Sequence, residues 1–167
     1  THRYLGGAWT TPSSWAPATV PTAASLVLLP RGTTGTVVGA SPDRIYVEAG
    51  ATLTYMATSP PKQILVAGLL NGTMRVPRGT GTNLGGRFGA LYAEAGSTIA
   101  MRAPVHITGD FSGESMEISS SEHRLTVDNL FDTVDSLIGA PGTIDVGMLT
   151  GSALSYRGGG GVLYVRG

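Results

Sequence analysis

The sequence predicts an all-β protein, a short single-domain parallel β-helix in which successive coils stack into a solenoid. Three observations support this prediction: frequent glycine and proline, recurring strand-like runs, and an internal repeat. The 167 residues include 25 glycines and 10 prolines, and only 13% of residues are charged. Apolar residues make up 41% of the chain, which is enough for the core of one domain.

Seven runs with alternating apolar residues are predicted to form β-strands. These runs are 45–55, 64–76, 91–101, 105–118, 124–130, 143–149 and 162–165. No long segment keeps a helical apolar period without an interrupting glycine or proline. The nearest helical candidate, 128–138, is rich in aspartate and β-branched residues, so we expect it to be a poor helix.

An internal repeat favours stacked coils. Residues 45–53 match residues 91–99 at an offset of 46, and the alternating pattern of 64–72 matches 105–113 at an offset of 41. The last four runs begin at a spacing of roughly 19 residues, which is close to one coil of a parallel β-helix. The alternative fold is an antiparallel β-sandwich or jelly roll, which also contains short alternating strands.

The opening segment places both tryptophans of the chain among prolines, before the first apolar run. A solenoid has two ends at which unpaired strand edges and core side chains would meet water. Residues 1–32 are therefore predicted to form an N-terminal cap and first strand, with Trp9, Trp15 and Pro21 covering the first coil. Residues 33–167 are predicted to form the coils. The alternative is that the two tryptophans form a platform for stacking a sugar ring.

Two tryptophans followed by Val20-Pro21, the run 26–32 (LVLLPRG) and the run 47–53 (VEAGATL) form a recognisable pattern. This pattern resembles the start of right-handed parallel β-helices in bacterial surface adhesins and autotransporter passengers. Ser14 and Ser25 stand where the adhesin pattern has Asn and Asp. The resemblance implies that the opening covers the first coil and that the protein has a surface role, and it implies no reaction.

Motifs for catalysis or cofactor binding are weak. His2, His106 and His123 are scattered without metal-ligand spacing, and His106 alternates with apolar residues, so its side chain is predicted to point outward. Cysteine is absent, which excludes disulfides and thiolate chemistry. The glycine-rich stretches 79–81 and 158–161 lack the lysine of a phosphate-binding loop and are predicted to be turns. No apolar run approaches the length of a membrane-spanning helix.

Charge is distributed unevenly along the chain. Residues 1–105 carry eight bases and three acids, a net charge of +5, whereas residues 106–147 carry one base and eight acids, a net charge of −7. Because sequence order follows the axis of a solenoid, we expect a basic first half and an acidic later region. Opposed charges suit docking against neighbouring subunits. The predicted interaction surface consists of Asp110, Glu114, Glu117, Glu122, Asp128, Asp132 and Asp135.

Two alternatives for the acidic residues stay open. A polysaccharide-cleaving β-helix would require two carboxylates to converge from adjacent coils, as Asp110 and Asp128 could. A Ca²⁺ site is a second option, but no loop has the spacing of calcium ligands. The basic half lacks interleaved aromatic residues, so nucleic acid is not an expected partner.

These observations predict a non-enzymatic structural protein that belongs to an assembly, without a cofactor. We expect a phage virion component, either a capsid-decoration protein or a fibre or spike module, located on the virion surface after synthesis in the host cytoplasm. The expected partners are other protein subunits, with a homotrimer as the expected oligomer and a surface glycan as a further ligand. The alternative is a fragment of a bacterial cell-surface adhesin, and a polysaccharide-processing enzyme is third.

Overall fold

The computed structural model describes residues 1–39, 41–57, 61–119, 122–139, 142–152, 155–157 and 162–166. The strands are β1 (His2–Tyr4), β2 (Trp15–Ala16), β3 (Leu26–Leu29), β4 (Thr34–Gly39), β5 (Arg44–Val47), β6 (Thr52–Ala57), β7 (Gln63–Val76), β8 (Gly81–Ala93), β9 (Thr98–Ile107), β10 (Phe111–Glu114), β11 (Glu117–Ser119), β12 (Leu125–Val134), β13 (Leu137–Gly139), β14 (Thr143–Ser152), β15 (Ser155–Arg157) and β16 (Val162–Val165). A single 3₁₀ turn, Pro12–Ser14, is the one helical element within these ranges. The predicted turn at 158–161 lies outside the described residues.

The strands wind into a β-solenoid of about six turns. Every described strand pair is parallel except β1 with β2, so the predicted parallel solenoid is confirmed and the antiparallel sandwich is wrong. Val105 lies beside Leu125, Leu125 beside Ile144, and Ile144 beside Leu163. These steps confirm the predicted spacing of the last four runs.

The core is built from columns of apolar side chains that repeat once in each coil. One column passes through Leu70, Phe88, Ile107, Val127 and Val146, which are all buried. Side chains alternate between the two sides of a strand, so the residues on either side of each core position point outward. The helical candidate 128–138 falls in β12 and β13 because parallel neighbours on both sides supply its backbone hydrogen bonds.

The repeat at an offset of 46 corresponds to a turn module of two stacked turns. Residues 30–33 lie beside residues 48–51 of the next coil, and residues 77–80 lie beside 94–97 in the same way. In both modules the amide of the glutamate donates to the coil before it: Glu48 to Leu29 at 2.9 Å, and Glu94 to Val76 at 2.9 Å. The chain therefore uses the same turn module twice.

Each module is closed by its glutamate side chain. The Glu48 carboxylate accepts a hydrogen bond from the backbone N–H of Arg31 at 2.9 Å, and Glu94 accepts one from the N–H of Arg78 at 3.1 Å. In the second module Arg75 also donates to Glu94. These bonds bridge neighbouring coils where the backbone leaves the sheet ladder, so each turn is fixed to the one beneath it.

The two modules lie at different positions around the coil, so the offset of 46 is not a whole number of coils. Val47, before the first module, pairs with Val66, whereas Ala93, before the second, pairs with Val76. The sequence repeat at an offset of 41 is likewise not a whole number of coils. Val105 pairs with Gly86, which pairs with Val66, so Val105 and Ile64 lie in different columns.

Candidate functional site

The first end of the solenoid is covered by the opening segment. β1 pairs in parallel with β3, and β2 returns antiparallel along β1, so residues 1–16 lie beyond the first full coil. Trp9 and Trp15 are 5% and 1% exposed, and their ring centroids are 4.6 Å apart and nearly perpendicular. The Trp15 indole N–H donates to the carbonyl of Trp9 at 2.9 Å. Burial leaves neither ring free to stack on a sugar.

Pro21 and Ser25 form the connection from the opening segment to β3. Pro21 is half-buried, and Ser25 is buried. The Thr22 N–H donates to Ser25 Oγ at 2.9 Å, and the Ser25 N–H donates back to the Thr22 carbonyl at 2.9 Å. The Ser25 hydroxyl thereby satisfies a backbone donor that a carboxylate at this position would also satisfy.

The opposite end of the described coils is formed by β16. Leu163 and Val165 of β16 continue two core columns, beside Ile144 and Val146, yet they are 36% and 48% exposed. Among the described residues β16 pairs only with β14. Within the described ranges, its other edge therefore has no strand partner, and its core-facing apolar side chains are partly exposed. We call this surface, formed by β16, the open end.

The predicted acidic surface does not form one patch. All seven side chains are exposed or half-exposed: Asp110, Glu114, Glu117, Glu122, Asp128, Asp132 and Asp135. The structure brings Asp110 and Asp128 together in a surface cleft of about 480 Å³ that is also lined by Leu130 and Met148. The other five lie on β10, β11, β12 and the turns beside them, and Glu114, Asp132 and Asp135 lie near one another at the ends of β10 and β12.

A charged corner lies beside this cleft and ties four successive coils together; it consists of His106, Arg124, Asp128, Asp145 and Arg166. His106 Nε2 lies 2.8 Å from Asp128 Oδ2, so His106 points outward as predicted. Arg124 pairs with Asp145 Oδ2, and Arg166 Nε lies 2.9 Å from Asp145 Oδ1. Arg166 Nη2 also donates to the carbonyl of Val127 at 3.0 Å, which fastens the open end to the coils beneath.

Both carboxylates of the cleft contact other groups of the protein. Asp128 is engaged by His106 and, at 3.6 Å, by Arg166, and Asp110 Oδ1 accepts the backbone N–H of Leu130 at 3.2 Å. Both carboxylates thus make contacts that hold coils together. Within the described ranges, no group of three or more acidic or histidine side chains could hold a metal ion. Among those same residues, no helix is long and apolar enough to cross a membrane.

Sequence reasoning missed an apolar groove on the outward side of β5, β7, β8 and β9. The apolar groove has a volume of about 350 Å³ and is lined by Tyr46, Leu65, Ala67, Gly85, Ala103 and Pro104. The available signal was the Gly85-Gly86 doublet inside a strand-like run, because glycine within a strand marks a close approach of backbone. The Gly86 conformation requires glycine: its φ is +104°, and a Cβ there would lie 1.8 Å from the Val66 carbonyl oxygen.

No family model, curated protein or solved structure matches this chain. The assignment of the class therefore rests on the strand register and the stacked core columns. Those observations define a β-solenoid protein whose first end is covered, whose last described strand pairs on one edge among the described residues, and whose outward face carries an apolar groove.

Proposed function

We propose that this protein is a non-enzymatic structural subunit of a larger assembly. The observation that carries the proposal is the difference between the two ends of the solenoid. Four aromatic side chains close the first end, whereas the open end leaves a strand edge and two core columns exposed. An unpaired edge of this kind binds another strand by extending the sheet.

The specific form of the proposal is a phage virion component that decorates a capsid or forms part of a fibre or spike. A cysteine-free solenoid with few charged residues supports this role, because its stability depends on stacked core columns and not on disulfides. Homotrimers and surface glycans belong to the same proposal. A bacterial cell-surface adhesin is the second candidate, and it is supported by the buried Trp9 and Trp15, which occupy the cap position of the adhesin-like opening.

The geometry of the cleft supports a binding role over a catalytic one. Asp110 and Asp128 are held by protein hydrogen bonds and ion pairs, and the described turns that border the cleft are short. A polysaccharide-cleaving site requires one carboxylate to protonate the leaving oxygen and a second to act as nucleophile or base.

A binding panel tests the proposal. Purified protein is mixed in separate arms with intact tailed-phage capsids, with whole bacterial cells and with immobilised glycans, and bound protein is measured after sedimentation or washing. We expect saturable binding to capsids, and loss of that binding in the double variant Leu163→Asp/Val165→Asp at the open end. The matched control is Met56→Asp, which changes an exposed residue of β6 and should bind like the wild type.

Three results would contradict the proposal. Binding to cells or glycans alone would favour the adhesin, and binding in none of the arms would remove the assembly role. Release of reducing ends from a polysaccharide, lost in Asp128→Asn, would establish an enzyme.

A further inference from the structure

The apolar groove has a structural origin in Gly85. Tyr46, Leu65 and Gly85 follow one another in an outward column, and glycine leaves that column without a side chain. A Cβ at Gly85 would lie 2.8 Å from Ala103 Cβ and 2.9 Å from Leu65 Cδ2. A side chain at Gly85 would crowd Ala103 and Leu65, and its absence leaves the floor of the groove open.

Cations border the apolar groove on the same outward face. Arg44 lies two residues before Tyr46 on β5, so strand alternation places it on the outward side with Tyr46. Arg87 lines the adjacent depression, which shares Ala67 with the groove. Within the described part of the chain, neither guanidinium makes a hydrogen bond or ion pair. Arg102, next to Ala103, donates to Asn83 at 2.9 Å. The groove is thus apolar with a basic rim.

A surface with complementary properties lies elsewhere on the same chain. Val134 is 39% exposed at the end of β12 and is directly paired with Glu114 of β10. Asp132 points outward on the same strand, and Asp135 follows with a φ of +47° that turns the chain away from the sheet. We call Glu114, Asp132, Val134 and Asp135 the acidic knob.

The carboxylates of the acidic knob have no cationic partner among the described residues. Asp132 accepts a hydrogen bond from the Thr150 hydroxyl at 2.9 Å, and neither Glu114 nor Asp135 makes a side-chain hydrogen bond or ion pair there. The knob therefore presents an apolar side chain surrounded by three negative charges. The groove presents an apolar surface bordered by arginines.

We propose that the acidic knob of one copy binds the apolar groove of a second copy, with Val134 in contact with Leu65 and the carboxylates facing Arg44 and Arg87. The inference rests on the proposed assembly role and names its partner as the chain itself. Desolvation of Val134 and Leu65 stabilises the contact, and the opposed charges select its orientation. The knob and the groove are different surfaces, so the interface is heterologous. Each pair of copies uses one knob and one groove, and the second knob and second groove stay free. Repetition of this contact produces a ring or an extended array.

Salt dependence follows from the charges. Exposed charges are screened over about 10 Å at 0.1 M ionic strength and about 3 Å at 1 M. We expect the wild-type protein to associate at low salt and to dissociate progressively as salt is added.

Two variants test the interface by complementation. Leu65→Glu places a negative charge in the groove and leaves the knob intact, whereas Val134→Glu changes the knob and leaves the groove intact. Both side chains point outward, so each variant should melt like the wild type. Sedimentation velocity at low salt should show each variant alone as a monomer. An equal mixture should form a one-to-one dimer, because the knob of the first variant still fits the groove of the second.

The control is Met56→Glu, an exposed residue outside both surfaces, which should associate like the wild type. A wild-type protein that stays monomeric at low salt would overturn the inference, and so would a mixture that does not form the dimer. Capsid binding by a strictly monomeric wild type would overturn the self-association alone and leave the proposed function standing. Self-association without capsid, cell or glycan binding would support the interface between copies and contradict the proposed function.

Discussion

Trp15 shows how a single side chain closes an end of a solenoid. Its ring lies 4.6 Å from Trp9, 5.1 Å from Tyr4 and 6.3 Å from His2, measured between centroids. Its indole N–H is satisfied by the Trp9 carbonyl, so the large ring is buried without an unpaired donor. The proline-rich opening segment and these aromatic rings together cover the core columns of the first coil, which would otherwise contact water.

Replacement of Trp15 by alanine should lower the free energy of unfolding by about 3–5 kcal/mol, because a buried aromatic ring is removed and a cavity is left. Urea denaturation followed by circular dichroism measures this change. The matched control is Leu5→Ala, an exposed residue of the same segment, which should change stability by less than about 0.5 kcal/mol. Equal midpoints for Trp15→Ala and the wild type would contradict the cap.

Because Tyr55 is buried, we expect the free energy of unfolding to fall at alkaline pH. Burial raises the pKa of Tyr55 from 10.0 to about 12, against a smaller lowering by a hydrogen bond with Ser41. Above pH 10 the unfolded chain loses this proton while the folded chain keeps it, so stability falls as the pH rises from 10 towards 12. Tyr55→Phe should lose less stability between pH 9 and pH 11 than the wild type. Parallel pH dependence in urea melts of the two proteins would show that Tyr55 makes no contribution.

The turn modules show what element-level patterns can and cannot predict. The repeat of 45–53 and 91–99 was visible because the Glu-Ala-Gly turn returns with its flanking strand residues. The other half of each turn module also repeats in the sequence. Pro-Arg-Gly-Thr occurs at 30–33 and again at 77–80, about one coil before each glutamate. A sequence pattern reports the local hydrogen bonds of a turn. It does not report the position of that turn around the coil, which depends on pairing with neighbouring coils.

The hydrogen bonds of the Glu94 carboxylate in its turn module should contribute to the stability of the fold. The backbone N–H of Arg78 and the Arg75 side chain lower the pKa of Glu94 below its ordinary value of 4.5. The stabilisation is present above the ordinary value and is lost as the pH falls through the lowered pKa, because the unfolded chain takes up the proton first. Glu94→Gln should therefore melt at a lower temperature than the wild type at pH 7, with a difference that shrinks in acid.

Glu117→Gln provides the comparison for that measurement, since Glu117 is exposed in β11 and makes no side-chain hydrogen bond or ion pair within the described residues. It should melt close to the wild type at both pH values. A Glu94→Gln protein with wild-type stability at pH 7 would show that the glutamate does not hold the module.

At the scale of the whole molecule, the order of the coils along the solenoid axis could be predicted from the sequence. The side of the coil on which each side chain lies could not. The fold class and the spacing of the later coils followed from alternating runs and turn residues. The number of residues between paired positions on neighbouring coils varies, however. It is 17 from Thr52 to Leu69 and 20 from Val105 to Leu125. Each extra residue changes which way the following side chains point. The separation of the acidic residues into a cleft and a knob could therefore not be predicted from the sequence.

The apolar groove and the open end escaped prediction for a related reason. Leu65, Leu163 and Val165 have ordinary apolar side chains within alternating runs, and nothing in their order distinguishes outward from inward columns. Exposure at these positions results from what lies on the neighbouring coil, Gly85 in one case and an unpaired edge in the other.

The difference between a closed and an open end is the central claim, and hydrogen exchange of the free protein tests it most directly. Backbone amides should exchange slowly in β3 and β5, beneath the aromatic cap, and much faster in β16, because exchange follows the free energy of local opening. Mass spectrometry of peptides from each coil, recorded at high salt to suppress self-association, measures this gradient. Protection of β16 equal to that of β5, or fastest exchange in β3, would contradict the account.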